Sequence, residues 1–217
     1  MKKSKKYFCV SAAVLAAFAL WTLAVVKVDV QTIGPQGSAV GFAALNGTVR
    51  DALGSNMLLY TLTDLLSLVP FGFVFGFALE GLWQLLKRKS IFAVERSILV
   101  LGGFYAVVFF VYILFEIIAV NYRPVLIGGK LEASYPSSTA MLALCVMITS
   151  VMQIRPRIKN KTAGRYFAAS MAVFTAFMVI GRVLSGVHWI TDIIGGVLLS
   201  AGLVFAYLGA VSATEKG

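Results

Sequence analysis

Charge is scarce in this chain. Of its 217 residues only 13% are Asp, Glu, Lys or Arg, while 59% are hydrophobic. Soluble domains carry about twice that share of charge. The deficit leaves too little polar sequence for a separate soluble domain. Acidic residues are fewest, 9 against 19 basic. Histidine occurs once, at His188, so a metal site built on imidazoles has little to draw on. Cys9 and Cys145 are the only cysteines. Both fall within apolar runs and read as small buried hydrophobes, with no disulfide or zinc spacing. No internal repeat is present, which weighs against the inverted-repeat architecture of a transporter.

Long apolar runs fill the space that charge leaves. They cover residues 7–26, 56–86, 96–120, 136–154, 165–184 and 189–211. Runs of about 20 apolar residues span a bilayer as helices. The expected fold is therefore all-α, a polytopic membrane protein built as a bundle of six transmembrane helices. Residues 1–55 form a first helix and an outer loop, 56–211 the helical membrane core, and 212–217 a cytoplasmic tail. The second run is long enough to tilt or to kink at Pro70. Gly72 with Gly76, and Gly196 with Ser200, form small-residue pairs that suit close helix packing. The KKSKK start precedes an apolar stretch longer than a usual signal core, with no clear A-x-A site, so a retained first span is expected.

The positions of the cations set an orientation. Fourteen of the 19 lie before span one, between spans two and three, between spans four and five, and at Lys216. Lys27, Arg50, Arg123, Lys130 and Arg182 fall on the other side. The positive-inside rule then puts both termini in the cytoplasm. The net charge of +10 is accounted for by topology and by attraction to anionic headgroups, with no nucleic-acid partner implied. The longest connection, Lys27 to Ser55, lies outside. Its AVGFAALNGTVRDAL stretch suits a short amphipathic segment, acting as a spacer over the helices or in substrate access.

Ionisable groups inside spans are costly and usually face a bundle interior or a wet cavity. Asp64, Glu116, Arg123, Arg182, His188 and Asp192 all fall at the outer side by charge topology. His188 and Asp192 are spaced i, i+4 at the start of the last span, which puts them on one helix face. The carboxylate can accept a proton from one imidazole nitrogen and leave the other as nucleophile or base. In NYRPVLIGGKLEASYPSSTAM, residues 121–141, Tyr135-Pro136-Ser137-Ser138 opens the fourth span. Free amides at that helix start, serine hydroxyls and two arginines describe a phosphate pocket.

These residues resemble the type 2 phosphatidic acid phosphatase family, which shares its core with vanadium haloperoxidases. Gly181-Arg182, then five residues, His188, then three, Asp192 is similar to that family's third motif, Ser-Arg-x5-His-x3-Asp. Pro136-Ser137-Ser138-Thr139 is similar to its second, Pro-Ser-Gly-His, and Arg123-Pro124 to the end of its first, Lys-x6-Arg-Pro. The resemblance covers roughly residues 56–211. It implies His188 as the nucleophile on phosphorus, Asp192 as its orienting partner, Arg123, Arg182, Ser137 and Ser138 as phosphate ligands, and no metal or other cofactor. Three positions depart from the pattern: Gly181 stands for Ser, Glu116 for the first-motif Lys, and Thr139 for the general-acid His. General acid assistance is worth about 10²–10⁴-fold in rate. Its loss hurts least when the leaving group is weakly basic, which favours lipid diphosphates over phosphatidate. Glu116 or Glu132 could supply the acid, Lys130 could restore the lost positive charge, and Glu116 could instead pair with Arg123. The expected function is hydrolysis of a lipid phosphate or diphosphate at the outer membrane face through a phosphohistidine. The alternative is a relative that binds phosphorylated headgroups, or a partner, without turnover. The sequence sets no oligomeric state.

Overall fold

The computed structural model describes residues 3–214. Lys2, Lys216 and positions 215–217 of the expected tail lie outside the described residues. Eight α-helices follow in chain order: α1 Lys3–Lys27, α2 Ala43–Leu53, α3 Met57–Leu66, α4 Leu68–Arg88, α5 Arg96–Ile117, α6 Ser138–Ile154, α7 Lys161–Leu184 and α8 Ile190–Thr214. Six segments are long and apolar enough to cross a membrane, with α3 and α4 together forming one of them. The protein is therefore an all-helical multi-pass bundle.

The break between α3 and α4 falls at Ser67, three residues before Pro70. Proline has no N–H to offer the carbonyl of Leu66, so the ladder opens there. Ser67 Oγ instead donates to the Asp64 carbonyl at 2.5 Å. The fifth span starts at Lys161, earlier than the apolar run alone indicates. Asn160 caps it by accepting from the amides of Thr162 and Ala163 at 2.9 and 3.2 Å.

The centre of the bundle is α6 and α8. The α6 span has the lowest mean hydropathy of the six and is the most buried. In lipid, apolar surface gains little by burial, so packing and polar satisfaction decide which helices go inside. Small residues on α8 let its neighbours approach. A Cβ on Gly202 would lie 2.6 Å from Leu15, and one on Gly209 would lie 2.9 Å from Phe8, both on α1. Ser11 Oγ donates to the Gly202 carbonyl at 2.8 Å and Ser4 Oγ to that of Gly209 at 2.9 Å. Gly196 and Ser200 face α6, where a Cβ on Gly196 would lie 3.1 Å from the Ser137 carbonyl. The Gly72–Gly76 pair behaves differently from expectation. Neither has anything within 4 Å of an added Cβ, and both line an open apolar groove.

The connection after α1 packs over the start of α8. Asn46, on α2, donates from Nδ2 to the Gly41 carbonyl at 2.7 Å and to Thr191 Oγ1 at 3.0 Å. At its far end the Asn56 amide donates to the Ser185 carbonyl at 2.9 Å. Gly186 is held so close that an added Cβ would lie 1.9 Å from the Gly54 carbonyl oxygen. The loop is thus a brace on the turn between α7 and α8.

Candidate active site

That turn carries His188. Ser185 ends α7, Gly186 takes a left-handed φ of 64°, and α8 begins at Ile190. His188 therefore precedes the helix, whereas the sequence spacing placed it on the helix with Asp192. The Asp192 carboxylate reaches back to accept from the Trp189 amide at 3.0 Å. It accepts a second hydrogen bond from Asn121 Nδ2 at 3.2 Å. Its oxygens are engaged there, and His188 Nδ1 stands 3.7 Å away, outside hydrogen-bond range. The acceptor for Nδ1 is the Ser134 carbonyl at 3.1 Å.

A carbonyl can only accept, so Nδ1 carries the proton and Nε2 presents its lone pair. Two guanidiniums converge on that lone pair: Arg123 Nη1 and Arg182 Nη2 each lie 3.4 Å from Nε2. Burial first, then the charges of Arg123 and Arg182, hold the imidazole well below the ordinary histidine pKa of 6.5; the Ser134 carbonyl works the other way. The ring is thus neutral at pH 7, with its free nitrogen aimed at two cations. The arginines close directly onto it, with no phosphate-sized gap between.

Arg123 is delivered by a hairpin. Its amide donates to the Glu132 carbonyl at 3.0 Å, and the Ser134 amide donates to that of Asn121 at 2.9 Å. Gly128 and Gly129, at φ 56° and 78°, make the two-residue turn, which needs positive φ at both positions. Lys130 is an exposed corner of this turn and does not line the cleft described below. Trp189 Nε1 pins the hairpin by donating to the Tyr122 carbonyl at 2.7 Å. Arg123 Nε pairs with Glu132 Oε2 at 3.1 Å. Glu116 does not pair with Arg123: α5 ends at Ile117, so the two-turn helical relation between them does not exist.

Arg182 is set by α3. Its Nη1 donates to Thr63 Oγ1 at 3.3 Å and lies 3.9 Å from Asp64 Oδ1. Gly181 makes this possible, since a Cβ there would meet Thr63 Cγ2 at 2.8 Å. The Tyr60 ring lies 5.0 Å from the Arg182 guanidinium carbon and 5.9 Å from that of Arg123. Its π face offsets part of the repulsion between them.

In front of the arginines is a polar cleft of about 400 Å³. Arg123, Arg182, Ser138, Thr139, Glu116 and Glu132 line it, with Tyr60, Asp64 and Tyr112. Ser137 does not: its side chain is buried, and its Oγ has no partner and caps nothing. The Ser137 amide donates instead to the Asp192 carbonyl oxygen at 3.1 Å, tying α6 to α8. His188 sits behind the arginines. Asn121, Ser134, Tyr60 and Thr63 were missed by sequence reasoning. Among the described residues, no three His, Cys, Asp or Glu side chains stand together in a metal-binding cluster.

Comparison with known proteins adds the family. No curated protein matches the chain. A crystal structure of a transmembrane PAP2-type phosphatidylglycerolphosphate phosphatase from Bacillus subtilis is similar, with a TM-score of 0.63 over 95% of this chain and 96% of that one. The identity is 17%, so this likeness is one of fold. The family model of the PAP2 superfamily matches residues 100–215, more than half of the chain and a span that includes Arg123, Arg182, His188 and Asp192. This chain therefore belongs to the PAP2 superfamily.

Proposed function

We propose that the protein is a membrane lipid phosphatase that removes phosphate from a lipid phosphate or diphosphate by way of a phosphohistidine on His188. The observation that carries this reading is the pair of 3.4 Å contacts from Arg123 and Arg182 to the unprotonated Nε2 of His188. Two cations facing one neutral nucleophile repel each other, and an anion arriving from the cleft relieves that repulsion. The phosphoryl group displaces the guanidiniums from Nε2 and binds between them. Nε2 then attacks phosphorus and the bond to the leaving oxygen breaks. Water attacks the phosphohistidine in a second step and releases inorganic phosphate. Amides at the start of α6 add a helix N-terminus to the phosphate's surroundings.

Thr139 lines the cleft where a general acid is wanted, and a hydroxyl is a poor one. Diphosphate lipids release a phosphate whose last pKa is about 6, judged from phosphorylated side chains. Their advantage over phosphatidate is expected in kcat. The positive-inside count supports a cytoplasmic N-terminus and an outward-facing site reached from the outer leaflet. The test is phosphate release from a lipid phosphate and diphosphate panel by purified protein and by His188→Ala. Release that persists undiminished in the variant ends the proposal.

A second reading follows from the burial of His188 behind the arginines. A protein whose guanidiniums never part binds phosphorylated headgroups without turnover. Tight lipid binding with no release by the unmutated protein selects it.

A further inference from the structure

Arg182 is held by a helix remote from it in sequence. Its side chain is buried, and among the described residues its guanidinium makes two hydrogen-bond contacts. Nη2 meets His188 Nε2 at 3.4 Å, and Nη1 donates to Thr63 Oγ1 at 3.3 Å. Thr63 lies on α3, outside residues 100–215 that match the family model. When phosphate displaces the guanidiniums, Nη2 leaves His188. Thr63 is then the hydrogen-bond partner that Arg182 keeps.

Thr63 is fully buried, and its own partners fix how it meets the arginine. Its hydroxyl donates back to the Leu59 carbonyl at 2.9 Å, with that of Tyr60 at 3.0 Å. The proton is thus committed to the helix, and the oxygen turns a lone pair to Arg182, whose guanidinium can only donate. Two turns earlier α3 is fixed to the end of α7. Asn56 caps α3 by accepting from the Leu59 amide at 3.0 Å, and its own amide donates to the Ser185 carbonyl at 2.9 Å. The methyl branch of Thr63 uses the space left at position 181. A Cβ on Gly181 would stand 2.8 Å from Thr63 Cγ2 and 3.8 Å from Leu59 Cδ1. A β-branched side chain is stiff at χ1, and rotating this one breaks its bond to the Leu59 carbonyl, so the methyl does not swing aside.

We infer that Thr63 is a positioning residue for phosphate binding. Its hydroxyl is the fixed acceptor about which the Arg182 guanidinium turns from His188 to the anion, and Gly181 and Thr63 act as a matched pair. A side chain at 181 would push Thr63 off the arginine, so the glycine there and the hydroxyl on α3 belong to one arrangement. The identity of the anion rests on the phosphatase reading above. The Thr63–Arg182 geometry does not.

The test measures inorganic phosphate affinity of the purified full chain and its variants, with melting to show that each is folded. Thr63→Val keeps the branch and removes the acceptor. It should bind phosphate about tenfold more weakly, the low end for a hydrogen bond to a charged group. Thr63→Ser keeps the acceptor and should bind as the unmutated protein does. Gly181→Ala should weaken binding by crowding Thr63 Cγ2, and adding Thr63→Ser, which deletes that carbon, should restore it. Such restoration separates a matched pair from two independent packing defects. The inference is overturned if Thr63→Val binds phosphate as tightly as the unmutated protein, or if Thr63→Ser binds no better than Thr63→Val. A double variant no better than Gly181→Ala also overturns it. Absence of phosphate binding by the unmutated protein removes the anion site and the inference together. Phosphate binding without release from lipid phosphates keeps the inference and removes only hydrolysis.

Discussion

Gly186→Ala tests whether the outer loop positions the histidine turn. The residue has φ 64°, a region that costs a side-chain-bearing residue about 1–2 kcal/mol. The new methyl would also stand 1.9 Å from the Gly54 carbonyl oxygen and 3.0 Å from its carbon. Both atoms are backbone, so no rotamer change relieves the clash. Residues 54–56 must move off the turn, and the Asn56–Ser185 hydrogen bond at 2.9 Å is lost, a further ~0.5–1.5 kcal/mol. The total is about 2–3 kcal/mol, or roughly 5–10 °C in Tm for a chain of this size. Gly72→Ala is the control: nothing lies within 4 Å of its Cβ, and alanine inside a helix is favoured over glycine by up to about 1 kcal/mol. The assay is thermal unfolding of both variants in the same detergent, with inorganic phosphate affinity as a second readout. Gly186→Ala should melt lower and bind phosphate more weakly, and Gly72→Ala should do neither. Equal melting of Gly186→Ala and the unmutated protein would refute the close-approach argument.

Three other expectations follow from the same geometry. His188 has its folded-state pKa depressed below 6.5, so its contribution is complete above pH 6.5 and is lost as pH falls, because the unfolded chain takes up the proton first. Stability should drop by up to about 1.4 kcal/mol per pH unit between pH 6.5 and 5, and His188→Gln should flatten that slope in unfolding measured across the window. Asn121→Leu removes a donor to buried Asp192 and should cost about 1–3 kcal/mol; a phosphate affinity unchanged in that variant would separate Asn121 from the site. Gly202→Val places carbon against Leu15, where even a Cβ would lie 2.6 Å away, and should loosen α1 from α8 by about 1–3 kcal/mol, measured as earlier proteolysis after α1.

The bundle was legible because hydropathy reports span number through backbone satisfaction in lipid, a requirement that acts residue by residue along the chain. The His188–Asp192 spacing and the two arginines were legible for a related reason: charge within apolar sequence is costly enough to stand out. What the sequence hid is long-range. Nothing local marks Thr63 as the partner of an arginine 119 positions later, or Ser134 as the acceptor for the imidazole. Gly181 read as a missing serine, and only the approach of Thr63 explains it. The two small-residue pairs look alike in sequence, yet Gly196–Ser200 is packed and Gly72–Gly76 is open. Which face meets a neighbour depends on helix rotation, and spacing does not encode that.

Isolating the protein during turnover of a lipid phosphate and locating the bound phosphoryl group decides the central claim. The account expects an acid-labile, base-stable phosphoramidate on the peptide that contains His188, absent from His188→Ala. Phosphate found on a hydroxyl or carboxylate, or release continuing in the variant, would contradict it.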